Sequence, residues 1–305
     1  MQTVGVIGLG LIGGSLGLAL KQQRDSLGEQ SYRVIGYDSS PERRQQAEQL
    51  QAVDQTSDDL ITLAQRAQML IIATPVLAVR QVLAAIAPHL RPGTLVTDTA
   101  STKAAVLRWA SELLPAGTHF IGGHPMAGGT GSLEDARPDL FHGTTYCVVT
   151  PWQTEDTGED VEDAEEASET AEARLEDVIA ALGAKPLRID AQTHDRCVAA
   201  ISHLPFLTST ALVETVADSP DHELMRQLAS SGFRDTSRLA AGDPTMYQGI
   251  ALTNREAITF WIDAYITRLQ AIRQVLQAES GQDTEGEALL ALFRQARLHR
   301  KDLLG

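Results

Sequence analysis

Val4-Gly5-Val6-Ile7-Gly8-Leu9-Gly10-Leu11-Ile12-Gly13-Gly14-Ser15-Leu16-Gly17-Leu18-Ala19-Leu20 is the stretch that decides the fold. Its first four residues read as a short β-strand, its last seven as an apolar helix, and three spaced glycines lie between them. Strand, glycine turn and helix in that order are the context in which Gly-x-Gly-x-x-Gly cradles a dinucleotide. Gly8 makes the tight turn, Gly10 lets the backbone approach a pyrophosphate, and Gly13 lets helix and strand pack closely. Leu9, Leu11 and Ile12 complete the loop, whose phosphates face the helix N-terminus. A signal peptide or membrane helix is the poorer reading. The run carries six glycines and has no basic segment ahead of it.

The next apolar run, Tyr32-Arg33-Val34-Ile35-Gly36-Tyr37, ends in Asp38. An acid at the end of the second strand can accept both ribose hydroxyls of NAD and repel a 2′-phosphate. NAD is therefore the expected cofactor. NADP is the alternative, because Arg43 and Arg44 follow closely, and a strand-end Asp that caps a turn is the plainer one. Strand and helix continue to alternate. Residues 47–63 read as helix with a break at 53–57. Met69-Leu70-Ile71-Ile72-Ala73 is a strand apolar on both faces, 76–90 a helix, 94–98 a strand, and the helix after Lys103 runs to 113. Residues 143–150 and 185–190 read as two further strands with a helix at 171–182 between them. A Rossmann-type α/β domain over 1–190 is expected. Ligands of such sheets bind beyond the carboxyl ends of the strands. Thr74-Pro75 and Ser101-Thr102-Lys103 fall there.

So does Gly122-Gly123-His124-Pro125-Met126-Ala127-Gly128, which follows the strand His119-Phe120-Ile121. Read locally, it is a loop holding one histidine, and a loop histidine is ordinarily structural. Its convergence on the nicotinamide end of the cofactor is what makes His124 a candidate catalytic residue.

The formal net charge is −15, which argues against nucleic acid and anionic membrane surfaces as partners. Ten acids and no basic residue stand between 155 and 172, so the rest of the chain carries about −5. The segment 153–172 reads as a surface loop or disordered insert. Cys147 and Cys197 lie in apolar surroundings without metal-ligand spacing. They read as reduced core residues of a cytoplasmic protein, and no metal site is expected.

From about residue 191 the strand signals stop. Residues 193–216, 223–228, 254–277 and 285–303 are helical in pattern, giving an all-α domain over 191–305. Two polar segments stand out in it. Ser202-His203-Leu204-Pro205 places His203 in an apolar helix, where a hydrogen-bonded core histidine is the simpler explanation. In Arg234-Asp235-Thr236-Ser237-Arg238, Asp235 and Arg238 are three apart and would share a helix face. They form either a local ion pair or an arginine held for bidentate capture of a carboxylate.

Taken together, the motifs resemble those of the prephenate/arogenate dehydrogenases of tyrosine biosynthesis, over nearly the whole chain. They are the loop at 8–15, Asp98-x-x-Ser101-x-Lys103, His124-Pro125-Met126-Ala127-Gly128, Ser202-His203-Leu204-Pro205 and Gly232 to Arg238. The resemblance implies oxidative decarboxylation of a ring carrying a 4-hydroxyl and a carboxylate. It implies that His124 deprotonates the hydroxyl and that Ser101 hydrogen-bonds the same group beside the nicotinamide. It further implies that Arg238 binds the ring carboxylate with Asp235 orienting it, that His203 lines the substrate pocket, and that the helical domain forms a homodimer. Many prephenate-using members read His-Leu-Pro-His, and here the second histidine is replaced by Phe206. That departure leaves room for arogenate, whereas Asp38 points to NAD and so towards prephenate.

Two rival readings are weaker. A β-hydroxyacid dehydrogenase or pyrroline-carboxylate reductase shares the two-domain plan but would not use His124 with Arg238. A non-catalytic NAD-binding sensor would bind cofactor without turnover.

Overall fold

A computed structural model describes residues 1–129, 131–150, 161–277 and 284–305. In the first part of the chain, β1 (Gln2–Ile7), α1 (Leu11–Lys21), β2 (Tyr32–Tyr37), α2 (Pro41–Gln49), β3 (Gln55–Thr56), α3 (Leu60–Arg66), β4 (Met69–Ile72), α4 (Val76–Ile86), β5 (Leu95–Asp98) and α5 (Ala104–Leu113) alternate. β6 (His119–Pro125), β7 (Thr145–Val149), α6 (Val161–Ala181) and β8 (Lys185–Arg188) complete one sheet in the order β3-β2-β1-β4-β5-β6-β7-β8. Neighbours are parallel except β6 and β7, which run antiparallel. The order reverses between β1 and β4, the switch point where doubly wound sheets open a crevice. One core cluster joins α1 and α6 to one face through Leu16, Leu20, Leu175 and Ile179. The other joins α3, α4 and α5 to the opposite face through Leu63, Val79, Leu83 and Val106. With both faces covered, β1, β4 and β5 read as near-continuous apolar runs.

Local chemistry sets the helix starts. Ser40 caps α2 ahead of Pro41, and Asp59 caps α3 by accepting from the Ile61 and Thr62 amides. The expected helix 47–63 with its break is thus two capped helices with the short strand β3 between them. The expected acidic loop differs more. Residues 153–160 lie outside the described residues, but α6 already begins at Val161, ten residues before the helix expected from 171. Acid-rich composition lowers the chance of a packed core without forbidding a helix, since Glu and Ala are good helix formers. The two cysteines also differ from one another. Cys147 is buried in β7, whereas Cys197 is exposed, because it points away from the buried face of its helix.

The helices that follow are α7 (Ala191–Val198), a π-helical turn Ala199–His203, α8 (Leu204–Ala217), α9 (His222–Leu228), α10 (Ser231–Ser237) and α11 (Pro244–Thr253), then α12 (Arg255–Gln277) and α13 (Thr284–Leu304). The compact units are Met1–Arg255 and Glu256–Gly305. The helices from 191 to 255 therefore share the first unit with the sheet, although their sequence pattern separates them from it. Ala191–Ala217 is long and apolar enough to cross a membrane by length and composition. Within the unit its buried polar residues include His194, Asp195 and His203.

Candidate active site

The glycine loop has the geometry its spacing predicts. Gly8 adopts φ +99°, and a Cβ there would stand 2.6 Å from the Ala73 carbonyl oxygen. A Cβ on Gly13 would come within 1.9 Å of the Gly8 oxygen, whereas one on Gly10 would meet nothing within 4 Å. The helix is thus locked against the loop while the space over Gly10 stays open. α1 has no side-chain cap and no acid in its first turn, so its leading amides are available to an anion. Asp38 is buried. Its Oδ2 accepts from the Leu9 amide at 2.9 Å and its Oδ1 from the Ser40 amide at 2.9 Å. Each oxygen keeps acceptor capacity that a ribose hydroxyl could use, so the carboxylate anchors the loop without spending all of it. Arg43 lies 3.8 Å from it and is largely exposed. Thr74 follows β4 with a buried hydroxyl that has no protein partner, and Pro75 leads into α4. The loop, the acid and the orphaned hydroxyl fit a dinucleotide.

His124 is not in a loop. β6 continues through Pro125: it pairs with β5 through residue 121, then with β7 from Gly122 onward. The preceding glycines make this possible. A Cβ on Gly123 would lie 2.4 Å from the Asp98 carbonyl oxygen and 2.6 Å from the Tyr146 hydroxyl. The strand is drawn in by an ion pair the sequence reading gave no role. Lys103 and Asp98 are both 0% exposed and bonded to each other. The Lys103 ammonium also donates to the Gly123 carbonyl at 2.6 Å, and Asp98 accepts from the Gly123 amide at 3.2 Å. Burial pushes the Lys103 ammonium below its ordinary pKa, while Asp98 pulls it back.

Beside His124 lies a second group the sequence reading missed. His124 Nδ1 is 2.9 Å from His194 Nε2, and His194 Nδ1 is 2.8 Å from Asp195 Oδ1. The Asp195 carboxylate also accepts from the Lys103 and Ala104 amides at 2.7 and 3.0 Å, capping α5 from α7. Asn254 donates to the Asp195 carbonyl at 2.7 Å and faces His203 Nδ1 at 3.3 Å. The structure thus brings His124 and His203 into one buried cluster, with Lys103 at its edge. Ser101, half-buried, stands two residues before Lys103. A signal was present in the chain: residues 194, 195, 198, 199 and 203 form a helical stripe, and its polar members are buried. A buried polar residue on an apolar stripe needs a partner.

Arg238 and Asp235 are not among the residues hydrogen-bonded to that cluster. α10 ends at Ser237 and Arg238 begins a 3-10 turn that follows it directly, so the two remain three apart on continuous helical backbone. Both are exposed, and among the described residues no ion pair joins them. Water holds such a pair together weakly. Burial pushes the Tyr247 hydroxyl above its ordinary pKa, and the nearby Arg238 guanidinium offsets part of that rise. Tyr247 stacks on Phe206 with ring centroids 3.4 Å apart and packs over Gly242, where a Cβ would come within 2.4 Å of the ring.

Burial is the main cause that pushes both site histidines down, His124 well below 6.5 and His203 to about 4. Both are neutral in the folded protein at pH 7. Below pH 6.5 the unfolded chain takes up protons that the folded chain refuses, so stability falls as pH drops. For His203 alone the loss between pH 6.5 and 4 is expected to reach roughly 3 kcal/mol. Urea midpoints measured from pH 7 to 4.5 check this. A slope unchanged by His203→Gln would contradict it.

Comparison with known proteins adds lineage to this geometry. Residues 17–177 match the family model described as prephenate dehydrogenase, nucleotide-binding domain. Residues 190–295 match the one described as prephenate dehydrogenase, dimerization domain. The chain is 31% identical to the prephenate dehydrogenase of Bacillus subtilis (strain 168), covering 99% of this chain and 76% of that protein. It is 32% identical to a solved Synechocystis arogenate dehydrogenase, with a TM-score of 0.77 and coverage of 99% and 100%. The A. aeolicus prephenate dehydrogenase, solved with hydroxyphenyl propionate and NAD+, shares the fold at a TM-score of 0.84 and 23% identity, over 99% and 98% of the chains.

Proposed function

The chain belongs to the prephenate dehydrogenase family, and from that premise we propose that it converts prephenate to 4-hydroxyphenylpyruvate with NAD+, in tyrosine biosynthesis. The observation that carries the reading is His124. It is a neutral, nearly buried imidazole beyond the carboxyl end of β5, on the sheet that holds the nucleotide loop. Its Nδ1 is engaged by His194, which leaves Nε2 for a substrate.

The reaction needs three things at once. A hydride must leave the ring carbon that bears the hydroxyl, the hydroxyl proton must be taken, and the ring carboxylate must depart as CO2. NAD+ supplies the hydride acceptor and is held by Gly8, Leu9, Gly10, Leu11, Ile12, Gly13, Asp38, Thr74 and Pro75. His124 takes the hydroxyl proton as general base. Ser101 hydrogen-bonds the same hydroxyl. Arg238 binds the ring carboxylate with Asp235 orienting it, and His203 lines the pocket. Aromatisation of the ring makes the decarboxylation favourable.

Arogenate is the second reading, and the Phe206–Tyr247 stack is the observation that favours it. An apolar face stands where many prephenate-using relatives carry a histidine. Rates with prephenate and arogenate, each with NAD+ and NADP+, test both readings. The expected order has prephenate with NAD+ fastest. Arogenate turnover without prephenate turnover would reverse the assignment, and no turnover with either would end it. The same assay on Arg238→Gln should raise KM for the ring substrate on the order of 100-fold, since a charge-assisted carboxylate contact is lost. An unchanged KM would remove Arg238 from the site.

The same reading gives a domain boundary near 190, a homodimer and a cytoplasmic location. Exposed apolar side chains on α12 and α13, among them Phe260, Leu276, Phe293 and Leu298, support self-association through the helical domain.

A further inference from the structure

We propose that His194 and Asp195 are positioning residues that set the proton on His124, holding it in the tautomer whose Nε2 is a free base. The inference rests on His124 being the base, and the argument starts at two backbone amides. The Lys103 and Ala104 N–H groups can only donate, and they point at the two oxygens of Asp195. Those oxygens are therefore both acceptors, as in a carboxylate. Its Oδ1 also faces His194 Nδ1 at 2.8 Å, so that nitrogen carries a hydrogen. A neutral His194 then has its lone pair on Nε2, 2.9 Å from His124 Nδ1. His124 must donate there from Nδ1, and its Nε2 is left unprotonated.

The opposite order is disfavoured by burial. It requires a doubly protonated His194 donating to His124, which adds a charge to a site where burial first, and then His194, Lys103 and His203, press His124 towards neutrality. The same residue orders the second imidazole. The Asp195 carbonyl fixes the amide of Asn254, whose Nδ2–H faces His203 Nδ1. The proton of His203 is thereby placed on Nε2, which is buried with no protein partner. One aspartate so leaves one imidazole as an acceptor and the other as a donor. When the substrate hydroxyl gives its proton to His124 Nε2, the positive charge forms one ring away from a carboxylate held out of water. There the carboxylate acts far more strongly than it would in solvent.

The test is nitrogen-15 NMR on the full-length chain with histidine labelled and NAD+ present, alongside steady-state rates. Protonated and unprotonated ring nitrogens resonate far apart, so the tautomer is read directly. For the wild-type chain a protonated Nδ1 and an unprotonated Nε2 are expected on His124. Asp195→Asn removes the negative charge behind His194 and sets an amide NH2 against one of the two backbone donors, and should lower kcat by about 10³–10⁴-fold with NAD+ affinity kept, as with an equivalent change in a Ser-His-Asp triad. His194→Phe leaves the α5 cap intact and should lower kcat by about 10²-fold or more, which covers the case in which Asp195→Asn does not fold. A wild-type His124 protonated at Nε2, or a folded His194→Phe enzyme with full kcat, would overturn the proposal. The expected tautomer without turnover of prephenate or arogenate would instead remove the assigned reaction and leave the proton assignment standing.

Discussion

His124→Asn is expected to lower turnover on the order of 10³-fold while NAD+ still binds. The lost group is the proton acceptor, and a positioned general base contributes about 10²–10⁴-fold. Asparagine is the informative replacement. Its amide can donate to His194 Nε2 much as the imidazole Nδ1–H does, so the hydrogen-bonded chain to Asp195 and the packing of β6 are kept. It has no nitrogen that can take up a proton near neutral pH. The nucleotide loop lies on β1 and α1 and depends on Asp38 rather than on β6, so cofactor affinity is expected to stay within a factor of a few. Single-turnover rates and NAD+ titration by calorimetry separate the two quantities. Turnover within tenfold of wild type would exclude His124 as the base.

The second large effect is on stability. Lys103→Met should cost about 3–5 kcal/mol, the range for removing one partner of a buried ion pair. The methionine fills most of the lysine volume, so the loss comes from charge rather than from a cavity. Asp98 would be left in the interior with the Ala100 and Gly123 amides as donors but no counter-ion. The bond to the Gly123 carbonyl would go too, freeing β6 one residue before His124, so kcat should fall with stability. Urea unfolding of the single variants and of Lys103→Met with Asp98→Asn measures the coupling. The double variant should be clearly more stable than the two single losses added together. A loss under about 1 kcal/mol for Lys103→Met would mean that the pair is not what holds the strand.

Much of the nucleotide half was legible in the chain. Its elements are built by neighbours: alternating apolar runs, Ser40 and Asp59 as caps, and glycines at positions where a Cβ meets a backbone oxygen. Asp38 could be read from its place at the end of β2. The acidic stretch misled because composition speaks to burial more than to backbone, so α6 starting at Val161 was not foreseen. α11 escapes the sequence pattern because its apolar stripe is short.

What the sequence determined by itself is the part set by local periodicity and covalent chemistry: the strand–glycine–helix start, the order of alternation and the identity of the one histidine at a strand end. What only the tertiary structure decided is what that histidine touches. His194 is 70 positions away from His124 in the chain, and Asp195 caps a helix 92 positions before it. A strand or helix repeats its own pattern over a few residues, so a local window reveals it. The partner of a buried polar group is fixed by which distant elements pack together, and no local window holds that information. The glycine loop says that a dinucleotide fits; only the packing of distant elements sets His194 and Asp195 behind His124.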